Sequence, residues 1–118
     1  MVTYRDNGMA SFTIKLPPKM QEGIEAYASE EKRKRSNAII YLIDVGLDDP
    51  KIEPGEYERG DAEFNQISVS TKFSEVIREA ESKADVHFDG VFSDAVRWAI
   101  LSGLLKERGD ESEIMGSL

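Results

Sequence analysis

Two stretches of this chain align without a gap: S-N-A-I-I-Y-L-I-D-V-G-L beginning at Ser36, and S-D-A-V-R-W-A-I-L-S-G-L beginning at Ser93. Ser36 falls on Ser93, Ala38 on Ala95, Ile43 on Ile100, Gly46 on Gly103 and Leu47 on Leu104, all at an offset of 57. Upstream of each stretch lies a short segment in which apolar and polar residues alternate. These segments align at an offset of 55, Phe12 with Ile67 and Ile14 with Val69. A repeat constrains the fold more than any local signal, because it says that one supersecondary unit occurs twice.

The unit is strand, helix, helix. In 9–16, Phe12, Ile14 and Leu16 alternate with Ser11, Thr13 and Lys15, the period of a half-buried strand. Pro17-Pro18 ends the strand and can open a helix. Met20, Ile24, Tyr27 and Ala28 then share one face of a helix over 18–31. Lys32-Arg33-Lys34-Arg35 is a polar break, Ser36 is placed as N-cap, and 37–47 carries a broad apolar face. The pattern returns as a strand over 66–71, a helix over 73–84, a turn over 85–92, an N-cap at Ser93 and a helix over 94–106. Residues 1–8 read as a flexible lead-in. The repeats therefore occupy 9–47 and 65–106, separated by an acidic linker, 48–64, and followed by a polar tail, 107–118.

A single strand on two short helices cannot cover its own edge or core face. Two copies can pair their strands antiparallel into a two-stranded ribbon over four helices. The expected fold is therefore mostly α with one short ribbon, an intrachain pseudo-dimer. The 17-residue linker is long enough for this, since extended chain covers roughly 3.3 Å per residue. Pairing of each repeat with its copy in a second chain stays open at this point.

Composition narrows the function. The 118 residues are 40% hydrophobic and 32% charged, as in a folded domain. The absence of cysteine removes disulfides, thiolate nucleophiles and thiolate zinc sites. With one histidine, His87, no multi-histidine metal site can be built. No apolar run approaches the length of a membrane span, and the segment M-V-T-Y-R-D-N-G has no apolar signal region. A cytoplasmic protein is expected. No nucleophile–base pair and no glycine-rich phosphate loop is present, so neither an enzyme nor a cofactor is expected. Tyr41 and Trp98 are 57 apart and read as core or interface positions rather than base-stacking ones.

The ordered set, S-F-T-I-K-L-P followed by K-R-S-N-A-I-I-Y-L-I-D-V-G-L and repeated with divergence, resembles the ribbon-helix-helix family of DNA-binding proteins (Arc, MetJ and CopG type). The second copy departs from it in Thr71 and Lys72, where the first has Leu16 and Pro17, and in a longer helix–helix turn. The resemblance implies a ribbon in the major groove of double-stranded DNA, with outward strand residues reading base edges. Those would be Ser11, Thr13 and Lys15 from one strand and Gln66, Ser68 and Ser70 from the other. Lysine can donate to guanine, glutamine can pair with adenine, and hydroxyls can do either. An exposed strand face is also commonly polar for solvation alone.

The resemblance further implies phosphate clamping at the N-terminus of the second helix of each unit. Here Ser36 and Asn37 follow four consecutive cations, Lys32, Arg33, Lys34 and Arg35. Positive charge at a helix N-terminus opposes the dipole, and a bound phosphate would relieve that conflict. The second copy has Ser93 and Asp94, with no basic run, which makes a weaker clamp.

A net charge of −8 argues against nucleic acid until it is divided along the chain. Residues 9–47 hold six basic and five acidic side chains, and 65–105 hold four and six. The linker has two basic against seven acidic residues, and 106–118 has two against four. Much of the negative charge thus lies outside the paired units. The expected function is a transcriptional regulator, a repressor by resemblance, able to assemble as a homo-oligomer on repeated half-sites. The alternative is a protein-interaction module of the same fold, antitoxin-like or without DNA binding, whose partner would be a basic protein.

Overall fold

Strand pairing organises the molecule. The computed structural model describes residues 2–58 and 64–109. Strand β2 (Ala10–Leu16) runs antiparallel to β3 (Asn65–Thr71), with Phe12 opposite Val69, Thr13 opposite Ser68 and Ile14 opposite Ile67. Ala10, Phe12, Ile14 and Leu16 are buried, as are Ile67, Val69 and Thr71, so one face of the sheet lies on the helices. The other face is polar. Alternation in sequence has become two-sidedness in space.

The sheet has three strands rather than the expected two. Strand β1 (Thr3–Tyr4) pairs antiparallel with the free edge of β2, Thr3 opposite Ser11 and Tyr4 opposite Ala10. The expected lead-in is thus partly ordered by a tight turn. Gly8 takes φ +85°, the Arg5 N–H bonds the Met9 carbonyl at 2.9 Å, and the Asn7 side chain accepts the Met9 N–H at 3.0 Å. Tyr4 anchors the strand, donating its hydroxyl to Glu81 while the Arg78 guanidinium lies 4.0 Å from its ring centroid.

Four helices cover the inner face: α1 (Pro18–Glu30), α2 (Arg35–Asp48), α3 (Ser74–His87) and α4 (Phe92–Arg108). Helix α1 buries Met20, Ile24, Tyr27 and Ala28, the face its period predicts. Helix α4 is buried from Ala95 through Leu105 and forms the centre of the core. It crosses α2 at backbone distance. A β-carbon on Gly46 would sit 1.9 Å from the Ala99 carbonyl oxygen, and one on Gly103 would sit 2.3 Å from that of Leu42. Only glycine permits either approach. Among the described residues no helix is long and apolar enough to cross a membrane.

Three local expectations are corrected. Helix α2 begins at Arg35 with Lys34 as N-cap, and α4 begins at Phe92 with Val91 as N-cap; neither has a side-chain capping bond. Ser36 and Ser93 therefore lie inside the first turn. Helix α3 extends to His87, leaving a short turn in which Asp89 and Gly90 have φ of 51° and 81° and the Gly90 N–H closes on the Ala84 carbonyl at 2.9 Å. The linker is not wholly a spacer. Ile52 is buried and its carbonyl accepts the Trp98 indole N–H at 2.7 Å, while the Tyr57 ring meets Phe88 edge-on at 6.2 Å. It lacks an apolar period, yet two isolated apolar residues suffice to pin it. Linker residues 59–63 and tail residues 110–118 lie outside the described residues.

The glycine crossing yields a sharp expectation. Gly46→Ala and Gly103→Ala should each lower the unfolding free energy by more than about 2 kcal/mol, because the added carbon meets backbone that cannot move aside. Gly55→Ala, facing open space, should change it by no more than about 0.5 kcal/mol. Urea titrations measure all three.

Docking of Tyr4 onto α3 contributes to the alkaline limb of stability. Burial, reinforced by the Glu81 hydrogen bond, pushes the Tyr4 hydroxyl up from 10.0 to about 12. The protonated phenol is favoured by the fold, so its contribution is complete below pH 10.0 and is lost as the pH rises through about 12. Melting temperatures should fall across that window, and Tyr4→Phe should flatten part of the decline.

Candidate nucleic-acid interface

The outward face of the sheet gathers the six strand residues singled out from sequence. The register sets Lys15 opposite Gln66, Thr13 opposite Ser68 and Ser11 opposite Ser70. Thr13, Lys15, Gln66, Ser68 and Ser70 are exposed. Ser11 is half-buried, since Thr3 of β1 lies beside it. The result is three cross-strand polar pairs on a narrow two-stranded surface, with a serine-rich end and a lysine–glutamine end.

The N-terminus of α2 reaches the serine-rich end. Lys34, Arg35, Ser36 and Asn37 line a groove of about 660 Å³ together with Ser70, Glu25 and Ala28. The Ala38 N–H bonds the Lys34 carbonyl at 2.9 Å. Helix geometry therefore leaves the amides of Arg35, Ser36 and Asn37 without intrahelical acceptors. Among the described residues, Lys15, Lys32, Lys34 and Arg35 have no ion-pair partner. Positive charge and open amides thus converge beside the polar strand face, an arrangement suited to an anion.

The basic run does not act as one group. Lys32 and Arg33 line a second groove, of about 810 Å³, with Tyr41, Lys72 and Phe73 among its other walls. The Arg33 guanidinium lies 4.4 Å from the Tyr41 ring centroid, and Tyr41 in turn stacks on Tyr27 at 6.2 Å. Burial and a hydrogen bond to Glu107 push the Tyr27 hydroxyl up, so it stays protonated as a donor. Lys32 adopts φ 54°, a left-handed conformation that turns the chain sharply from α1 into α2. Lys34 and Asn37 border both grooves.

The N-terminus of α4 reaches the opposite end of the sheet, and its chemistry differs. A groove of about 410 Å³ there is lined by Thr13, Lys15, Gln66, Phe92, Ser93 and Arg97, among others. Arg97 is only 3% exposed. Its Nη1 donates to the Lys15 carbonyl at 2.8 Å and its Nε to the Tyr57 hydroxyl at 3.2 Å. Its Nη2 donates to Asp94 Oδ1 at 2.7 Å and to Ser93 Oγ at 3.4 Å. Ser93, expected as a weaker clamp, is drawn into this internal cluster. Sequence reasoning missed Arg97. Its aligned position in the first stretch is Ile40, and an arginine where the matching residue is apolar and buried was the available signal.

His87 is exposed at the end of α3, and Trp98 is buried at the centre of the core. No protein-family model, no curated protein and no solved structure matches the chain.

Arg97 joins strand, linker and helix through one planar cation, so its loss should be felt widely. Arg97→Met is expected to destabilise the fold by about 3 kcal/mol, the scale of a broken buried ion pair. Arg97→Lys should recover only part of that, because an ammonium cannot span the same acceptors. Equilibrium unfolding of the two variants provides the comparison.

Proposed function

We propose that this chain is a sequence-specific double-stranded DNA-binding transcriptional regulator of the ribbon-helix-helix kind, with its two repeats forming a pseudo-dimer within one chain. The observation that carries this reading is the strand register. Thr13 and Ser68 are equivalent positions of the aligned segments, 55 apart, and they pair with each other. A twofold ribbon requires that its central residue face its own counterpart. The helix crossing supports the same symmetry. Gly46 abuts Ala99 and Gly103 abuts Leu42, and the offset of 57 exchanges one pair for the other.

In this reading the β2–β3 ribbon enters the major groove, which is about 12 Å wide and admits two strands. Lys15 donates to guanine O6 and N7, Gln66 pairs with adenine, and Thr13, Ser68, Ser70 and Ser11 supply hydroxyls. The amides of Ser36 and Asn37, with Lys34 and Arg35, hold a backbone phosphate and fix the register of the ribbon. Lys32 and Arg33 add long-range attraction. A repressor's role follows from the resemblance; a homo-oligomer on repeated half-sites and a cytoplasmic setting belong to the same proposal, the first from ribbon pairing and the second from composition.

A second reading is a protein-interaction module of the same fold with a basic partner. The net charge of −8 and the internally satisfied α4 terminus favour it.

Mobility shifts with random and genomic duplexes at low and physiological salt separate the two. Neutralising 32–35 should weaken binding to every sequence and lower the salt slope by roughly 0.9 for each phosphate that is no longer neutralised. Lys15→Ala should instead relax base preference at one position, by about 1–3 kcal/mol. Absence of binding at low salt, with tight capture of a basic protein, would select the second reading.

A further inference from the structure

We infer that the grip on the DNA backbone is one-sided, so that the protein binds a non-palindromic site in a single orientation. This rests on the DNA-binding reading above and adds a direction to it.

The two helix termini that flank the ribbon occupy comparable places. The α2 terminus borders Ser70 and the α4 terminus borders Lys15. Ser36 and Ser93 are 57 apart, and Lys15 and Ser70 are 55 apart, the offsets of the aligned segments. Their chemistry is opposed. At α2, Lys34 and Arg35 are exposed and the neutral Asn37 follows. At α4, the matching positions hold Val91, Phe92 and Asp94.

Asp94 already sets a carboxylate in the first turn of α4, where the helix dipole would otherwise favour a phosphate. The nearby cation, Arg97, is turned inward onto the Lys15 carbonyl, Tyr57, Ser93 and Asp94. To reach a phosphate it would have to abandon those acceptors from a site only 3% exposed. The α4 terminus therefore offers no uncommitted cation of its own: Asp94 and Arg97 offset each other, and the exposed Lys15 beside them belongs to the base-reading strand.

Base reading is divided in the opposite sense. The α4 end of the ribbon carries the two long side chains, Lys15 and Gln66, and Arg97 fixes the Lys15 backbone from beneath. The α2 end carries only Ser11 and Ser70, with Ser11 half-covered by β1. One half of the surface grips and the other half discriminates. A palindromic duplex cannot satisfy both halves better than a directional one can.

The test selects bound duplexes from a randomised pool and maps phosphate contacts by ethylation interference, on the shortest selected duplex that binds one copy of the intact chain. The expected consensus is non-palindromic. Ethylation should weaken binding at least tenfold at phosphates on one flank and less than twofold at the corresponding phosphates on the other. A palindromic consensus, no consensus, or matching interference on both flanks overturns the inference while leaving DNA binding intact. Failure to bind any duplex, even at low salt, overturns the reading beneath it as well.

Discussion

The contact between α2 and α4 at Gly46 and Gly103 governs the rest of the structure. Each glycine takes the carbonyl of the opposite helix into the space a β-carbon would fill. Two helices that touch through their backbones have little freedom to slide or rotate against each other. Their N-termini are then held at fixed places on either side of the β2–β3 pair. The strands gain a buried floor that matches the alternation of Phe12, Ile14, Ile67 and Val69. Close packing at one point becomes positional accuracy at the polar face.

Electrostatics adds a second layer to that frame. The overall charge of −8 is a poor guide to the field near the sheet, where Lys15, Lys34 and Arg35, without ion-pair partners among the described residues, lie on or beside the polar strands. Coulomb interactions in salt water fade within about 8–10 Å, so the neighbourhood outweighs the total. Arg97 demonstrates the converse. It is a full charge that contributes almost nothing to the surface, because its donors are used inside.

Much of the fold was legible because its main signals are periodic. The alternation in β2 and β3 and the faces of the helices each depend on a repeat of two or 3.6 residues, and those periods survive folding. Strand β1 has two residues, too few for any period, and it exists because Tyr4 finds Glu81, 77 positions along the chain, and Arg78 one turn before it. The helix starts fall a residue or more away from where serine, weighed by type alone, sets them. In the fold, the Ser93 hydroxyl meets Arg97 instead. The outward strand residues of the candidate site could be identified from alternation. What sequence could not provide was the register that sets Lys15 against Gln66, or the inward turn of Arg97, since both depend on contacts between distant segments.

The β2–β3 pairing lies within one chain, and this bears on both concentration and sequence. A sheet closed between separate molecules falls apart on dilution, whereas one closed within a chain has no concentration threshold. Two identical subunits must also accept every substitution at both ends of their shared ribbon. Strands within a single chain are free of that bond, and the aligned positions Ile40 and Arg97 hold side chains of opposite character, one apolar and one charged.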